Sequence, residues 1–255
     1  MKAVILAAGR GSRLKRHTDS RPKALVELAS KPLLFWQLEA LAAAGANDLA
    51  VVCGYQSEQI KALATDAALP FTPLENLRWA ETNMLSSLLC AAPWAGGQEC
   101  LVSYSDIVYP ARHVRALLAD VRPIALTYDM DWETLWRLRN EGDPLADAET
   151  FRAEDGLLKE IGAKPQNLDQ VRGQYMGLLK LSAEGWKIWL DRCAALGQAV
   201  DRTDMTGFLR LLLADDIDIG AVAVDGAWCE VDSDRDLELY ENALAEGFFS
   251  HDWRN

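Results

Sequence analysis

Short unbroken apolar runs alternate along this chain with stretches of helical periodicity. Residues 2–6 (KAVIL) form an apolar run that enters a glycine loop directly, which predicts a buried parallel strand. The loop with its basic residues fills 7–19. Residues 32–44 carry Leu33, Leu34, Trp36, Leu38 and Leu41 at helical spacing, with Pro32 in the first turn and Gly45 as the stop. A strand is predicted at 48–53, a helix at 56–65, a loop at 76–83 and a helix at 85–91. A strand at 100–103 then ends in Tyr104-Ser105-Asp106, followed by a helix at 111–119 and a strand at 124–128. This alternation predicts a Rossmann-like α/β fold: a mainly parallel sheet with helices on both faces. From 129 to 174 the pattern turns polar and irregular and reads as an inserted lid of small strands and loops. Regular patterning returns with a strand at 175–181, helices at 183–195 and 206–214, a strand at 219–224 and a closing helix at 234–245.

The 255 residues fit one domain carrying that insertion. The opening apolar run is too short for a membrane span and lacks the form of a signal peptide. Five scattered cysteines without a CxxC pair read as reduced core thiols of a cytoplasmic protein, and three scattered histidines disfavour a zinc site. A net charge of −12 excludes a general nucleic-acid binder. The charge is uneven, however. Residues 1–31 hold Lys2, Arg10, Arg13, Lys15, Arg16, Arg21, Lys23 and Lys31 against only Asp19 and Glu27. A basic island in an acidic protein points to a small polyanion bound at one place, or, more blandly, to a solvated face.

The segment LAAGRGSRL, Leu6 to Leu14, followed by RPKAL, Arg21 to Leu25, favours the polyanion. Gly9 and Gly11 allow a tight turn and close backbone approach to phosphate, and Arg13 and Lys23 add fixed positive charge. Leu14 stands where GxGxxG would need its third glycine, and the GK[ST] of a P-loop is absent. Asp106, in SYSDIVY, and Asp232, in WCEVDSDRDL, each follow a strand-like run, where open α/β sheets place ligands. An isolated loop aspartate is otherwise a turn or cap residue. Glu230, Asp234 and Asp236 read as caps or solvated charges, the last two suited to the dipole of the closing helix.

LAAGRGSRL…RPKALVELASKPLL resembles the signature of the sugar-phosphate and phosphocholine nucleotidyltransferase superfamily. The resemblance implies that the loop, including Leu6, Ala7, Ala8, Gly9, Gly11 and Ser12, wraps a nucleoside triphosphate. It also implies that Arg13 and Lys23 contact the reacting phosphates, and that Asp106 and Asp232 hold Mg²⁺. The expected reaction is in-line displacement at the α-phosphorus with release of pyrophosphate. An anionic acceptor phosphate needs little general-base help, so positioning and charge carry the catalysis.

The stretch TNMLSSL, Thr82 to Leu88, stands where many sugar-1-phosphate enzymes carry a Gln and a GTA element. It is similar instead to the Asn-x-x-x-Ser-Leu pattern of bacterial choline-phosphate cytidylyltransferases, which implies CTP, with Asn83 and Ser87 at the nucleotide; a helix cap is the alternative. For the acceptor, Tyr128, Trp132, Trp136 and Tyr175 offer aromatic faces for a quaternary ammonium. The acids Asp129, Asp131, Glu133, Asp143, Asp147 and Glu149 suit a primary ammonium, and Lys164 lies where relatives meet the acceptor. Trp132 and Trp136 also fit one packed helix face at i,i+4. Phosphocholine, 2-aminoethylphosphonate and other small zwitterions stay open, the acid-rich lid favouring the last two. A sugar-1-phosphate enzyme using UTP, dTTP or GTP is the alternative, and a non-catalytic nucleotide sensor a third reading. A homodimer is compatible with the sequence.

Overall fold

The computed structural model describes residues 1–65, 68–247 and 249–254. In chain order the first half comprises β1 (Lys2–Ala7), β2 (Glu27–Leu28), β3 (Lys31–Pro32), α1 (Leu33–Ala43), β4 (Asp48–Cys53), α2 (Ser57–Leu63), β5 (Thr72–Glu75), α3 (Met84–Ala95), β6 (Cys100–Tyr104), β7 (Ile107–Val108) and α4 (Ala111–Ala119). Then follow β8 (Ile124–Asp129), α5 (Trp132–Arg139), β9 (Phe151–Glu154), β10 (Leu157–Ile161), β11 (Gln174–Leu181), α6 (Ala183–Leu196), α7 (Met205–Ala214), β12 (Ile219–Val224), β13 (Cys229–Glu230) and α8 (Asp234–Glu246). Short 3₁₀ turns at Ser12–Thr18 and Lys23–Leu25 give form to the basic loop.

Nine strands make the central sheet in the order β5-β4-β1-β6-β11-β8-β12-β10-β9. The β5-β4-β1-β6 pairs and the β8-β12 pair are parallel, so all strands but β11 and β10 run the same way. Both faces of the sheet are buried. Along β1, Ala3, Ile5 and Ala7 point into one core with α1, α4 and α8, while Val4, Leu6 and Ala8 point into the other with α3, α6 and α7. A strand covered on both sides cannot show polar alternation, which is why its sequence is a continuous apolar run.

Two elements depart from the sequence expectation. Residues 129–174 do not form only small strands and loops. They include α5, and the β9–β10 hairpin extends the central sheet beyond β12. Trp132, Leu135, Trp136 and Arg139 are the buried face of α5, so the packed i,i+4 face suggested by the two tryptophans is what forms. The other is β5, which carries Pro73. As an edge strand it tolerates a residue that cannot donate a ladder hydrogen bond.

Candidate active site

The carboxyl ends of β1, β4 and β6 lie side by side, and the chain leaves β1 through the glycine loop there. Gly11 adopts φ 68°, and a Cβ on it would stand 2.8 Å from the Lys23 side chain. A glycine is therefore required both by backbone conformation and by the lysine packed against it. Thr18 closes the turn by donating from Oγ1 to the Gly11 carbonyl at 3.0 Å. Leu14 anchors it, fully buried, and leaves Ser12 and Arg13 exposed.

Lys23 is buried and reaches two carboxylates far away in sequence. Its Nζ donates to Asp106 Oδ2 at 2.8 Å and to Asp232 Oδ1 at 2.9 Å. Arg13 pairs with the other oxygen of Asp232. Burial alone would lower the lysine's pKa, but Asp106, Asp232 and Glu230 outweigh it and raise it. The carboxylates are brought together by a two-strand stitch. Glu230 of β13 pairs with Ile107 of β7, and the Val231 amide donates to the Asp106 carbonyl at 2.8 Å.

Asp236 fixes the far side of this cluster. It accepts from the amides of Asp232 (3.0 Å) and Ser233 (2.8 Å) and completes a capping box with Ser233 at the start of α8. Arg139 of α5, itself buried, donates to Asp236 at 3.1 Å and to Glu230 at 3.0 Å. Glu230 is thus neither a cap nor a solvated charge. Burial pushes its carboxyl up to about 7 against the pull of Arg139, and Asp106 and Asp232 add to the rise. Asp236 is a cap, as its position suggested, but a buried one that also holds Asp232. Arg139 escaped the sequence reading because its partners come from the other end of the chain.

Asp106 Oδ1 is buried and has no hydrogen-bond partner among the described residues. Together with Asp232 it presents hard oxygen donors, two carboxylates and not a full cage. That donor set fits a Mg²⁺ whose remaining ligands are phosphate oxygens and water.

On one side of the cluster is a small cavity of about 140 Å³ lined by Leu6, Ala8, Gly9, Asn83 and Ser87. Asn83 is the cap of α3, accepting from the Met84 amide at 2.7 Å, and it also lines this cavity. On the other side a larger cavity, about 420 Å³, runs from Arg13, Asp106 and Asp232 to Asp147, Glu149 and Asp204. Trp136 and Tyr175 line it, as does Tyr104, whose ring packs edge-on against Tyr175 at 5.7 Å. The other acceptor candidates are not among its lining residues. Trp132 is buried in the core beneath α5, and Tyr128 packs against Phe151 at 4.7 Å. Lys164 binds the carbonyls of Leu145 (2.6 Å) and Ala146 (2.9 Å), just before Asp147, and so supports the wall from behind. Asp129 is fully buried, accepting from Gly226, Trp228 and His251, and is unavailable to a ligand. Glu149 faces the cavity, its main chain clamped by Gln174, whose Nε2 donates to the Glu149 carbonyl at 2.7 Å. Protein on one side displaces water from the Glu149 carboxyl, and Asp204 and Asp147 add negative charge, so its pKa is raised.

A glycine loop with Arg13 and Lys23 beside paired carboxylates stands at the carboxyl edge of a doubly wound sheet, where such folds bind ligands, and the family match makes the chain a nucleotidyltransferase. Residues 3–153 match the MobA-like NTP transferase domain, and the chain belongs to that family. The CTP:phosphoglutamine cytidylyltransferase of Campylobacter jejuni is 34% identical, the match covering 94% of this chain and 98% of that relative. The choline-phosphate cytidylyltransferase of Streptococcus pneumoniae is 51% identical over 59 residues, 23% of this chain and 26% of the relative. Among solved structures, the inositol-1-phosphate CTP transferase from T. maritima shares the fold with a TM-score of 0.75 at 17% identity, over 97% of both chains.

Proposed function

We propose that the protein transfers CMP from CTP to the phosphate or phosphonate of a small zwitterionic acceptor, with Mg²⁺, releasing pyrophosphate. The observation that carries this reading is the convergence of Lys23 and Arg13 on Asp106 and Asp232 beneath the glycine loop. Support for CTP comes from the full-length likeness to a CTP:phosphoglutamine cytidylyltransferase and from the TNMLSSL segment at the small cavity.

In this reading the base and ribose lie by Leu6, Ala7, Ala8, Asn83 and Ser87. The backbone of Gly9, Gly11 and Ser12 faces the triphosphate. Arg13 and Lys23 neutralise the phosphates, allowing the anionic acceptor oxygen to approach the α-phosphorus. That oxygen forms the new P–O bond while the bond to the bridging oxygen breaks, and the electron pair departs with pyrophosphate. Mg²⁺, when held by Asp106 and Asp232, supplies charge neutralisation for the same phosphates. The acceptor's phosphate group faces Arg13 and its ammonium the wall of Asp147, Glu149 and Asp204. Three acids there favour a primary ammonium, as in 2-aminoethylphosphonate or an amino-acid phosphate such as phosphoglutamine; the rings of Trp136, Tyr104 and Tyr175 also admit phosphocholine.

Pyrophosphate release measured with each nucleoside triphosphate against zwitterionic acceptors and hexose 1-phosphates tests the assignment. Turnover with CTP and an ammonium-bearing acceptor is expected. Turnover confined to hexose 1-phosphates with UTP, dTTP or GTP would overturn it.

A further inference from the structure

Beneath the small cavity lies a buried side-chain amide that the proposed reaction does not use. Asn76 follows β5, is 4% exposed, and has every polar group committed. Its amide donates to the Cys53 carbonyl at 2.9 Å, and its own carbonyl accepts from the Trp79 amide at 3.2 Å. In the side chain, Oδ1 accepts from the Arg78 amide at 3.0 Å. A backbone N–H can only donate, so this contact fixes which end of the amide is oxygen. Nδ2 must then point the other way, and it donates to Thr82 Oγ1 at 3.0 Å and Ser87 Oγ at 3.1 Å. Thr82 passes its own proton to the Arg78 carbonyl at 2.9 Å.

Ser87 is thereby left with a defined polarity. Its oxygen receives a hydrogen bond from Asn76, its hydroxyl proton has no acceptor among the described residues, and the residue lines the cavity. A hydroxyl that already accepts from one side presents its proton to the other. Cytosine offers an acceptor at N3, whereas O2 accepts in every pyrimidine and does not discriminate. Uracil and thymine carry N3–H, a donor that meets this proton head-on. A site built to give a hydrogen bond rejects the analogue that cannot take it, because a buried polar group is left unpaired.

We infer that Asn76 is a positioning residue for base selection: it orients the Ser87 hydroxyl as a donor to N3 of the base and so favours CTP over UTP. The inference rests on the CTP reading above. It assigns to Asn76 no contact with the nucleotide itself, and its effect is expected in selectivity and not in the chemical step.

The test is the ratio of kcat/KM for CTP to that for UTP, in wild type, Asn76→Ser, Ser87→Ala and the double variant. Serine at 76 can still accept from the Arg78 amide but is too short to span to Ser87. The expected result is a fall in the CTP/UTP ratio on the order of tenfold in Asn76→Ser, the scale of one hydrogen bond, arising mainly in KM. A similar fall is expected in Ser87→Ala, with no further fall in the double variant, since both act through one hydroxyl. General damage to the fold would lower both nucleotides together and leave the ratio unchanged, so a constant ratio in Asn76→Ser overturns the inference. So do additive effects in the double variant. If Asn76→Ser does not fold, Thr82→Val is the second variant. Removing Thr82 Oγ1 leaves Nδ2 bonded to Ser87 alone, so the ratio is expected to be kept or to rise, and a collapse there counts against the inference. A wild-type enzyme that prefers UTP would instead overturn the CTP reading and the inference together, whereas CTP preference with unchanged variant ratios would sink the inference alone.

Discussion

Lys23 carries more of the site than any other side chain, because one ammonium is shared by two carboxylates that lie 83 and 209 residues away. Lys23→Met leaves Asp106 without its cation and Asp232 with Arg13 alone, and removes charge from beneath the glycine loop. Pyrophosphate release is expected to fall about 10²–10³-fold, the scale of losing one preorganised electrostatic contact. Asp106→Asn keeps the hydrogen-bonding shape but loses the negative charge. It is expected to abolish nearly all turnover while nucleotide binding, followed by calorimetry, is partly retained; full activity would refute a metal role for Asp106. Gly11 and Lys23 were both visible in the sequence, since phosphate cradles need glycine and fixed charge within a short span. The sequence did not reveal that Gly11 is also required by the lysine stem packed 2.8 Å from its missing Cβ. Gly11→Ala is expected to cost about 1–2 kcal/mol from the left-handed backbone alone, read by denaturant unfolding, and to displace Lys23 as well.

At the level of elements, α5 and the start of α8 matter most, because they hold Asp232 from below. Arg139 is the link, buried between Glu230 and Asp236. Arg139→Met would keep apolar volume but strand two acids in a poorly solvated place. A loss of about 3–5 kcal/mol is expected in urea unfolding. Turnover should fall as well, because Asp236 no longer holds the Asp232 amide in place. Regular elements with a strong period were legible: β4, α4 and β12 fall where the pattern put them. The lid was not. Trp132, Leu135, Trp136 and Arg139 have helical spacing, but a buried arginine breaks the apolar stripe, and only the acids of β13 and α8 explain why it is there.

The whole molecule carries buried titratable groups that tie its stability to pH. His113 on α4 is buried, and that burial, with Arg112 nearby, pushes its imidazole down from 6.5 to about 4. Between those values the unfolded chain binds a proton that the folded chain refuses, so stability falls as the pH drops from 6.5 to 4. The full drop is on the order of 3 kcal/mol. Asp129 acts lower on the scale. Burial would raise its carboxyl, but hydrogen bonds from His251, Gly226 and Trp228 outweigh it and hold it below its ordinary 3.8. Its contribution is present above that value and is lost as the pH falls through the folded pKa. Glu230 opposes His113: its carboxyl, raised to about 7, takes up a proton in the folded chain before the unfolded one, so it adds stability as the pH falls over nearly the same range. The His113 contribution is therefore read as a difference: from pH 8 to 4 the urea midpoint of His113→Gln is expected to fall less, or rise more, than that of the wild type, and parallel curves would contradict the assignment.

By itself the sequence determined the doubly wound architecture, the glycine loop with Arg13 and Lys23, and the two aspartates as candidates. Those features are local: an apolar period, a phosphate-shaped turn, a carboxylate after a strand. Only the tertiary structure decided which acids face the cavity and which hold the frame. Asp129 and Asp147 look alike in a polar stretch, yet one is sealed under β12 and the C-terminal segment while the other faces the cavity. Charge and hydrogen-bonding type are written in each residue. Burial and pairing are set by segments about eighty to two hundred positions away, and these decide whether a carboxylate faces the cavity or holds the protein together.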